Sequence, residues 1–147
     1  MREAIQFIRQ KIYTALNGNI SNISGNTVFV YNRVPSNANT PYVWVYSGST
    51  NEVDQNAQNY CLECITRIEC VTRFDADTGG DLDCNTLVSE VLTLLRTRAS
   101  GYFDLSSNNF NVYINVSDGV TYEQIDKKDH TYVIGVIELA TRVEQLN

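Results

Sequence analysis

The segment from Tyr60 to Phe74 has the longest pattern of period two in this sequence, with every charge on one of the two alternating sets of positions. One set is apolar or carries a small hydroxyl or thiol: Tyr60, Leu62, Cys64, Thr66, Ile68, Cys70, Thr72 and Phe74. The other set holds the charges: Glu63, Arg67, Glu69 and Arg73. Because successive side chains of a strand point to opposite faces, the pattern predicts a long antiparallel strand with one covered face. A helix would scatter the charged residues around its cylinder.

The predicted strand is long for a single domain. At about 3.3 Å per residue it spans about 50 Å, which exceeds the usual strand length. It must therefore bend across the domain or extend beyond it, and an extension would offer a contact to a neighbouring subunit.

The composition fits one domain. With 147 residues, 43% of them hydrophobic, the chain is large enough to bury a core. We find no apolar run of signal-peptide or membrane-spanning length, so we expect a cytoplasmic protein with no membrane partner. The formal net charge of −6, with arginines dispersed along the sequence, disfavours wrapping of nucleic acid through phosphate neutralisation.

The four cysteines invite a metal-site interpretation, since Cys61 and Cys64 have the spacing of a zinc knuckle. In a strand, however, a separation of three sends the two sulfurs to opposite faces. A knuckle also needs a turn and a second ligand pair, and the only histidine is His130. We predict that all four cysteines are buried, reduced thiols that act as small apolar side chains.

Two segments have the apolar spacing of amphipathic helices. The first covers residues 2–16 and ends before Gly18, a residue suited to the left-handed conformation that closes many helices. The second starts near Asp81 or Asp83, either of which could cap it. Its apolar face comprises Leu87, Val88, Val91, Leu92, Leu94 and Leu95, and Arg96, Arg98 and Gly101 mark its end.

Further strands are predicted around the long one. They cover Thr27–Tyr31, Tyr42–Tyr46, Phe110–Val116 and Thr131–Val143, with a turn at Ser117, Asp118 and Gly119. Two polar segments, Ser47–Asn59 and Thr121–His130, are predicted to be connecting loops. The element order α-β-β-β-α-β-β predicts an α+β fold of two layers, in which both helices cover one face of a mostly antiparallel sheet.

A cluster of carboxylates follows the long strand: Asp75, Asp77, Asp81 and Asp83. Asp75, Asp77 and Gly80 fit the first, third and sixth places of an EF-hand loop, but Thr86 stands where the motif needs a bidentate Glu. Acidic residues near a helix start explain the cluster without a metal. The sequence contains no nucleophile elbow and no phosphate-binding glycine loop, so we expect neither an enzyme nor a cofactor.

The segment RVPSNANTPYVWVYSG, residues 33–48, follows a helix, a loop and a short strand. In that context it resembles the tail-completion or tail-terminator proteins of tailed bacteriophages. The resemblance continues through Tyr60–Phe74, Asp83–Ala99 and the strands around Val112 and Val136. It implies a structural virion protein that assembles into a ring at the junction of head and tail, usually with six copies, while related connector rings have higher symmetry.

A ring needs two different surface patches that meet between neighbouring copies, and alternating charges on a strand can set their register. We therefore expect a homo-oligomer, hexameric or dodecameric, that contacts neighbouring neck and tail proteins. DNA would pass through its lumen without sequence-specific binding, because an acidic wall repels phosphates. The predicted contact residues are Glu52, Asp54, Gln55, Glu63, Arg67, Glu69, Arg73, Glu123, Lys127 and Lys128.

Two other functions stay open. One is a small metal-dependent hydrolase that uses the cluster from Asp75 to Asp83. The other is a general α+β binding module that adds a peptide to the edge of its sheet.

Overall fold

The computed structural model describes residues 2–53, 59–75, 82–96 and 103–146 of the chain. The order of elements within these ranges agrees with the predicted order. The elements are α1 (Ile5–Leu16), β1 (Phe29–Tyr31), β2 (Tyr42–Val53), β3 (Cys61–Asp75), α2 (Leu82–Arg96), a 3₁₀ turn (Ser106–Asn108), β4 (Phe110–Asp126) and β5 (His130–Gln145).

The strands form one sheet with the order β1-β2-β3-β5-β4. All neighbours are antiparallel except β1 and β2, which are parallel. The predicted strand around Tyr60–Phe74 is confirmed as β3, and it lies at the centre of the sheet. The α+β class is therefore confirmed, together with its mostly antiparallel sheet.

One face of the sheet is covered by helices. The even-numbered residues of β3 from Leu62 to Thr72 are buried on this inner face. Both α1 and α2 pack on β3, and α2 also packs on β5. The largest fully buried side chains are Ile8, Ile12 and Leu16 from α1, Leu87 and Val91 from α2, Val43, Val45, Leu62, Ile68, Phe110 and Ile137 from the sheet, and Leu105 from the segment before β4. Burial of each of these side chains stabilises the folded state by about 1.5–3 kcal/mol.

Local contacts fix the ends of the helices. The Glu3 carboxylate accepts hydrogen bonds from the free N–H groups of Ala4 and Ile5 at the start of α1. Gly18 follows the helix with φ of +78°, as predicted. The Ser24 hydroxyl donates to the Asp83 carboxylate at 3.0 Å, and this contact ties the loop after α1 to the first turn of α2.

Gly135 sets how closely α2 approaches the sheet. A Cβ atom at this position of β5 would lie 2.6 Å from Val88 Cγ2 and 3.4 Å from Cys84 Sγ, both on α2. Any larger residue would therefore separate the helix from β5.

Two predicted loops are wrong over most of their length. The segment Ser47–Asn59 belongs to β2 as far as Val53, because its polar residues pair with β3 from Thr66 to Cys61; residues 54–58 lie outside the described ranges. The segment Thr121–His130 belongs to β4 as far as Asp126, since it pairs with β5. The predicted turn at residues 117–119 is instead an irregularity within β4, where Gly119 has φ of +119°.

The four cysteines are buried and free, as predicted. Cys61 lies on the face of β3 away from the helices and Cys64 on the inner face, because the two positions differ by three along one strand. The helix residues Arg98 and Gly101 lie outside the described ranges. Neither α1 nor α2, the helices of the described part of the chain, is long and apolar enough to cross a membrane.

Candidate functional site

The face of the sheet opposite the helices is the first candidate for a functional surface. It carries the odd-numbered residues of β3, the even-numbered residues of β5 and the even-numbered residues of β2 up to Tyr46. We call it the outer face. Neither helix covers it, yet many of its side chains are only partly exposed because they lie against one another. An antiparallel sheet commonly leaves one face open in this way, so the side chains on the open face decide what it can bind.

Charged pairs occupy the middle of the outer face. Arg67 Nε donates to Glu138 Oε1 at 3.1 Å, and Arg142 Nε donates to Glu63 Oε2 at 2.9 Å. In each pair the two residues lie directly opposite each other on β3 and β5. These charges therefore fix the register of the sheet from within one chain.

The remaining predicted charge of this group, Glu69, is also engaged. Its Oε2 accepts a hydrogen bond of 2.6 Å from the Tyr46 hydroxyl. Two causes raise the pKa of the Tyr46 phenol well above its ordinary value: burial of the ring, which is the larger, and this hydrogen bond. The hydroxyl therefore stays protonated and can keep donating across the neutral range.

Aromatic side chains cover the part of the outer face formed by β1 and β2. We define the aromatic belt as Phe29, Tyr31, Tyr42, Trp44 and Tyr46. Adjacent rings have centroids 6.3 Å apart for Phe29 and Tyr31 and 4.3 Å apart for Trp44 and Tyr46. Aromatic residues with a polar tip are typical of protein–protein contacts. The alternation of Tyr42, Trp44 and Tyr46 in the sequence carries this signal, but none of the predicted contact residues is aromatic.

The free edge of β4 is the second candidate surface. Among the described residues, nine large hydrophobic side chains are exposed, and five of them lie on β4. These five are Tyr113, Ile114, Val116, Tyr122 and Ile125. Because β4 is the last strand of the sheet, one side of its backbone has no neighbouring strand in the described part of the chain. An exposed and apolar edge of this kind is a template for pairing with another chain.

The predicted contact residues fall in three places. Glu63, Arg67 and Glu69 share the centre of the outer face, and Arg73 is exposed near the end of β3. Glu123 lies on β4, and the turn to β5 holds Lys127 and Lys128, where the Lys127 N–H donates to the His130 carbonyl. Glu52 lies at the far end of β2. Asp54 and Gln55 lie outside the described ranges.

The carboxylates proposed for a metal are only partly described. Asp75 and Asp83 line a cavity of about 430 Å³ at the end of β3, together with residues such as Pro41 and Thr72. Asp83 lies within the first turn of α2, where it accepts the hydrogen bond from Ser24. Over residues 2–53, 59–75, 82–96 and 103–146, no three His, Cys, Asp or Glu side chains converge on a point that could hold a metal ion. Asp77 and Asp81 lie outside these ranges.

His130, the only histidine of the chain, begins β5. Its ring meets the Tyr132 ring edge to face, with centroids 5.1 Å apart. Its backbone is the partner of Asp75 in the sheet. This arrangement fits a side chain at a strand end better than a general base facing a cleft.

Comparison with known proteins gives a structural likeness. No protein-family model matches this sequence, and neither does any curated protein. The fold is similar to that of a chain in a solved structure described as the virion of a native gene transfer agent particle, with a TM-score of 0.60 and 14% sequence identity. The match covers 96% of this chain and 99% of the other. The two chains therefore share their fold over nearly their whole length.

Proposed function

We propose that this protein is a structural component of a tailed phage or phage-like particle, and that it forms a ring at the junction of head and tail. The observation that carries the proposal is the likeness in fold, over nearly the whole of both chains, to a chain of a gene transfer agent virion. The role would be mechanical and not catalytic. The protein would assemble in the host cytoplasm and stay in the finished particle, in contact with neck and tail proteins.

The shape of the sheet supports assembly into a ring. The two edge strands of the sheet differ in length, since β1 has three residues and β4 has seventeen. Two copies that meet through unlike patches form a heterologous contact, and repeated heterologous contacts close into a ring when the rotation allows it. We propose six copies, with twelve as the alternative.

The charge of the chain supports passage of DNA without retention. The net charge is −6, and two arginines of the outer face, Arg67 and Arg142, are paired with carboxylates of the same chain. Paired arginines release few counterions when they meet phosphates, so they contribute little to DNA affinity. A ring built from such subunits would let a genome slide through its lumen.

The proposal is tested by measuring the mass of the purified protein by light scattering and by imaging it in negative stain. We expect annular particles whose mass is six or twelve times that of the 16.6 kDa chain. Duplex DNA should not be retained at physiological salt. A strict monomer at high concentration, with no annular particles, would contradict the proposal.

A further inference from the structure

We propose that neighbouring copies in the ring join edge to edge, so that β4 of one copy pairs antiparallel with β1 of the next. The inference rests on the proposed ring and names the surfaces that build it. Its partner is a second copy of this chain, and its chemistry is backbone hydrogen bonding supported by apolar side chains on both edges.

The edge formed by β4 is suited to pairing over its second half. The strand departs from regular pairing between Val112 and Ile114 and again between Ser117 and Val120. From Val120 to Asp126 its register with β5 is regular, and from Thr121 onward every residue is exposed. Irregularities of this kind often protect an edge from association, but the regular run has no such protection.

The opposite edge of the sheet offers a matching strand direction. Since β2, β3, β5 and β4 alternate in direction and β1 is parallel to β2, the strands β1 and β4 run in opposite directions. A rotation about an axis along the strands brings β4 of one copy beside β1 of the next and keeps both directions. The new pair is then antiparallel, which is the more stable arrangement per residue.

The two edges also meet at the same height in the sheet. One row of paired residues crosses all five strands: Phe29, Tyr42, Val71, Ile134 and Glu123. Phe29 on β1 is therefore level with the regular run of β4. A level contact needs no large shift of one copy along the next.

Exposed apolar side chains are concentrated on these two edges. Of the nine large hydrophobic residues exposed in the described part of the chain, six lie on them, namely Phe29 on β1 and five on β4. Phe29 is 50% exposed and Ile125 is 40% exposed. Phe29 and Ile125 are both on the outer face, so they can pack against each other across the new pair.

The contact is short, because β1 offers only three residues for backbone pairing. The regular run of β4, Val120 to Asp126, is about 23 Å long, and with side chains on both faces it is about 10 Å thick, so it offers roughly 230 Å² per partner. Counted on both partners this is about 460 Å², below the roughly 1,000 Å² of a lone specific interface. A single contact is therefore weak, and closure of the ring, in which each copy makes two such contacts, stabilises the assembly.

The test uses one variant for each edge and a matched control. Ile125→Lys places a charge on the β4 edge, and Phe29→Lys places one on the β1 edge. Leu146→Lys is the control, because Leu146 is 39% exposed and follows β5 beside the start of β4, at the opposite end of that strand from the regular run. All three sites are exposed, so we expect each variant to fold, which circular dichroism checks. The mass of each full-length variant is then measured by light scattering, alone and in mixtures.

We expect Ile125→Lys and Phe29→Lys each to fall to the 16.6 kDa monomer, while Leu146→Lys keeps the mass of the unmodified ring. In an equal mixture, the intact β1 edge of Ile125→Lys can meet the intact β4 edge of Phe29→Lys. At high protein concentration the mixture should therefore give a dimer of twice the monomer mass and nothing larger.

Three other results would overturn the inference. Rings that persist in both edge variants would mean that another surface builds the ring, and the proposed function would then stand without this contact. Loss of assembly in Ile125→Lys alone would indicate a symmetric contact between two β4 edges. An unmodified protein that is monomeric throughout would remove both the inference and the proposed function.

Discussion

Replacement of Gly135 by alanine gives the sharpest test of how α2 packs on the sheet. The new Cβ would lie 2.6 Å from Val88 Cγ2, 3.2 Å from Tyr122 Cε1 and 3.4 Å from Cys84 Sγ. Two carbon atoms prefer a separation of about 3.5–4.0 Å, so α2 or β5 must move by about 1 Å. Overpacking of this kind costs about 1–3 kcal/mol. We expect the free energy of unfolding to fall by about 2 kcal/mol and Tm to fall by about 4–8 °C.

The cause of the loss can be tested with a double-mutant cycle. Val88→Ala removes the methyl group that the new Cβ would meet, so in this background Gly135→Ala should cost at least about 1 kcal/mol less. Unfolding by urea, followed by circular dichroism, measures each variant at one fixed protein concentration because assembly stabilises the folded state.

The matched control is Gly25→Ala. Gly25 has φ of +79° with open space around it, so its replacement introduces backbone strain of about 1–2 kcal/mol without a steric contact. Its cost should be unaffected by Val88→Ala. If the costs of Gly135→Ala and Val88→Ala add to within about 0.5 kcal/mol, the close approach of α2 is not the cause, and the argument is refuted.

Three further predictions concern the core, the outer face and pH. Burial raises the pKa of the Cys64 thiol from 9.0 to about 11. As pH rises, the unfolded state therefore releases this proton before the folded state does. The free energy of unfolding should fall between about pH 9 and about pH 11. Urea titrations at several pH values should show a shallower fall for Cys64→Ala. Phe110→Ala should lower the free energy of unfolding by about 3–5 kcal/mol, because this ring is 1% exposed and packs against Phe7. A decrease below about 1 kcal/mol in the same titration would contradict its place in the core. Glu138→Gln should lower the free energy of unfolding by less than about 1 kcal/mol in the same measurement, since both side chains of its pair with Arg67 are more than a third exposed. A decrease of several kcal/mol would mean that the pair is desolvated.

The fold class could be read from the sequence because burial leaves a periodic trace. The alternation from Tyr60 to Phe74 predicted β3 to within one residue at each end, since that strand has one face under the helices and one face outside. The apolar spacing of Ile8, Ile12 and Leu16 predicted α1 for the same reason. Gly18 was recognised as the closing residue because its positive φ is costly for other residues.

Strands without a covered face leave no such trace, and these were missed. Residues 47–53 and 121–126 are mostly polar and mostly exposed, so their composition is close to that of loops. They are strands because β3 and β5 are long and offer partners for their backbone N–H and C=O groups. The turn composition of Ser117, Asp118 and Gly119 was misread in the same way, because an irregular strand uses the same residues as a turn.

The candidate surface shows the same division. The sequence correctly assigned Glu63, Arg67 and Glu69 to one face of a strand, but not their partners, since Glu138 and Arg142 lie on a strand far along the chain. Nor could the sequence give the strand order, which leaves β4 at one edge and β1 at the other. Side-chain periodicity depends on what is buried within each segment, so the sequence alone determined the elements that have a buried face and which face that is. Which faces and edges remain open depends on how distant segments pair, and only the tertiary structure decided that.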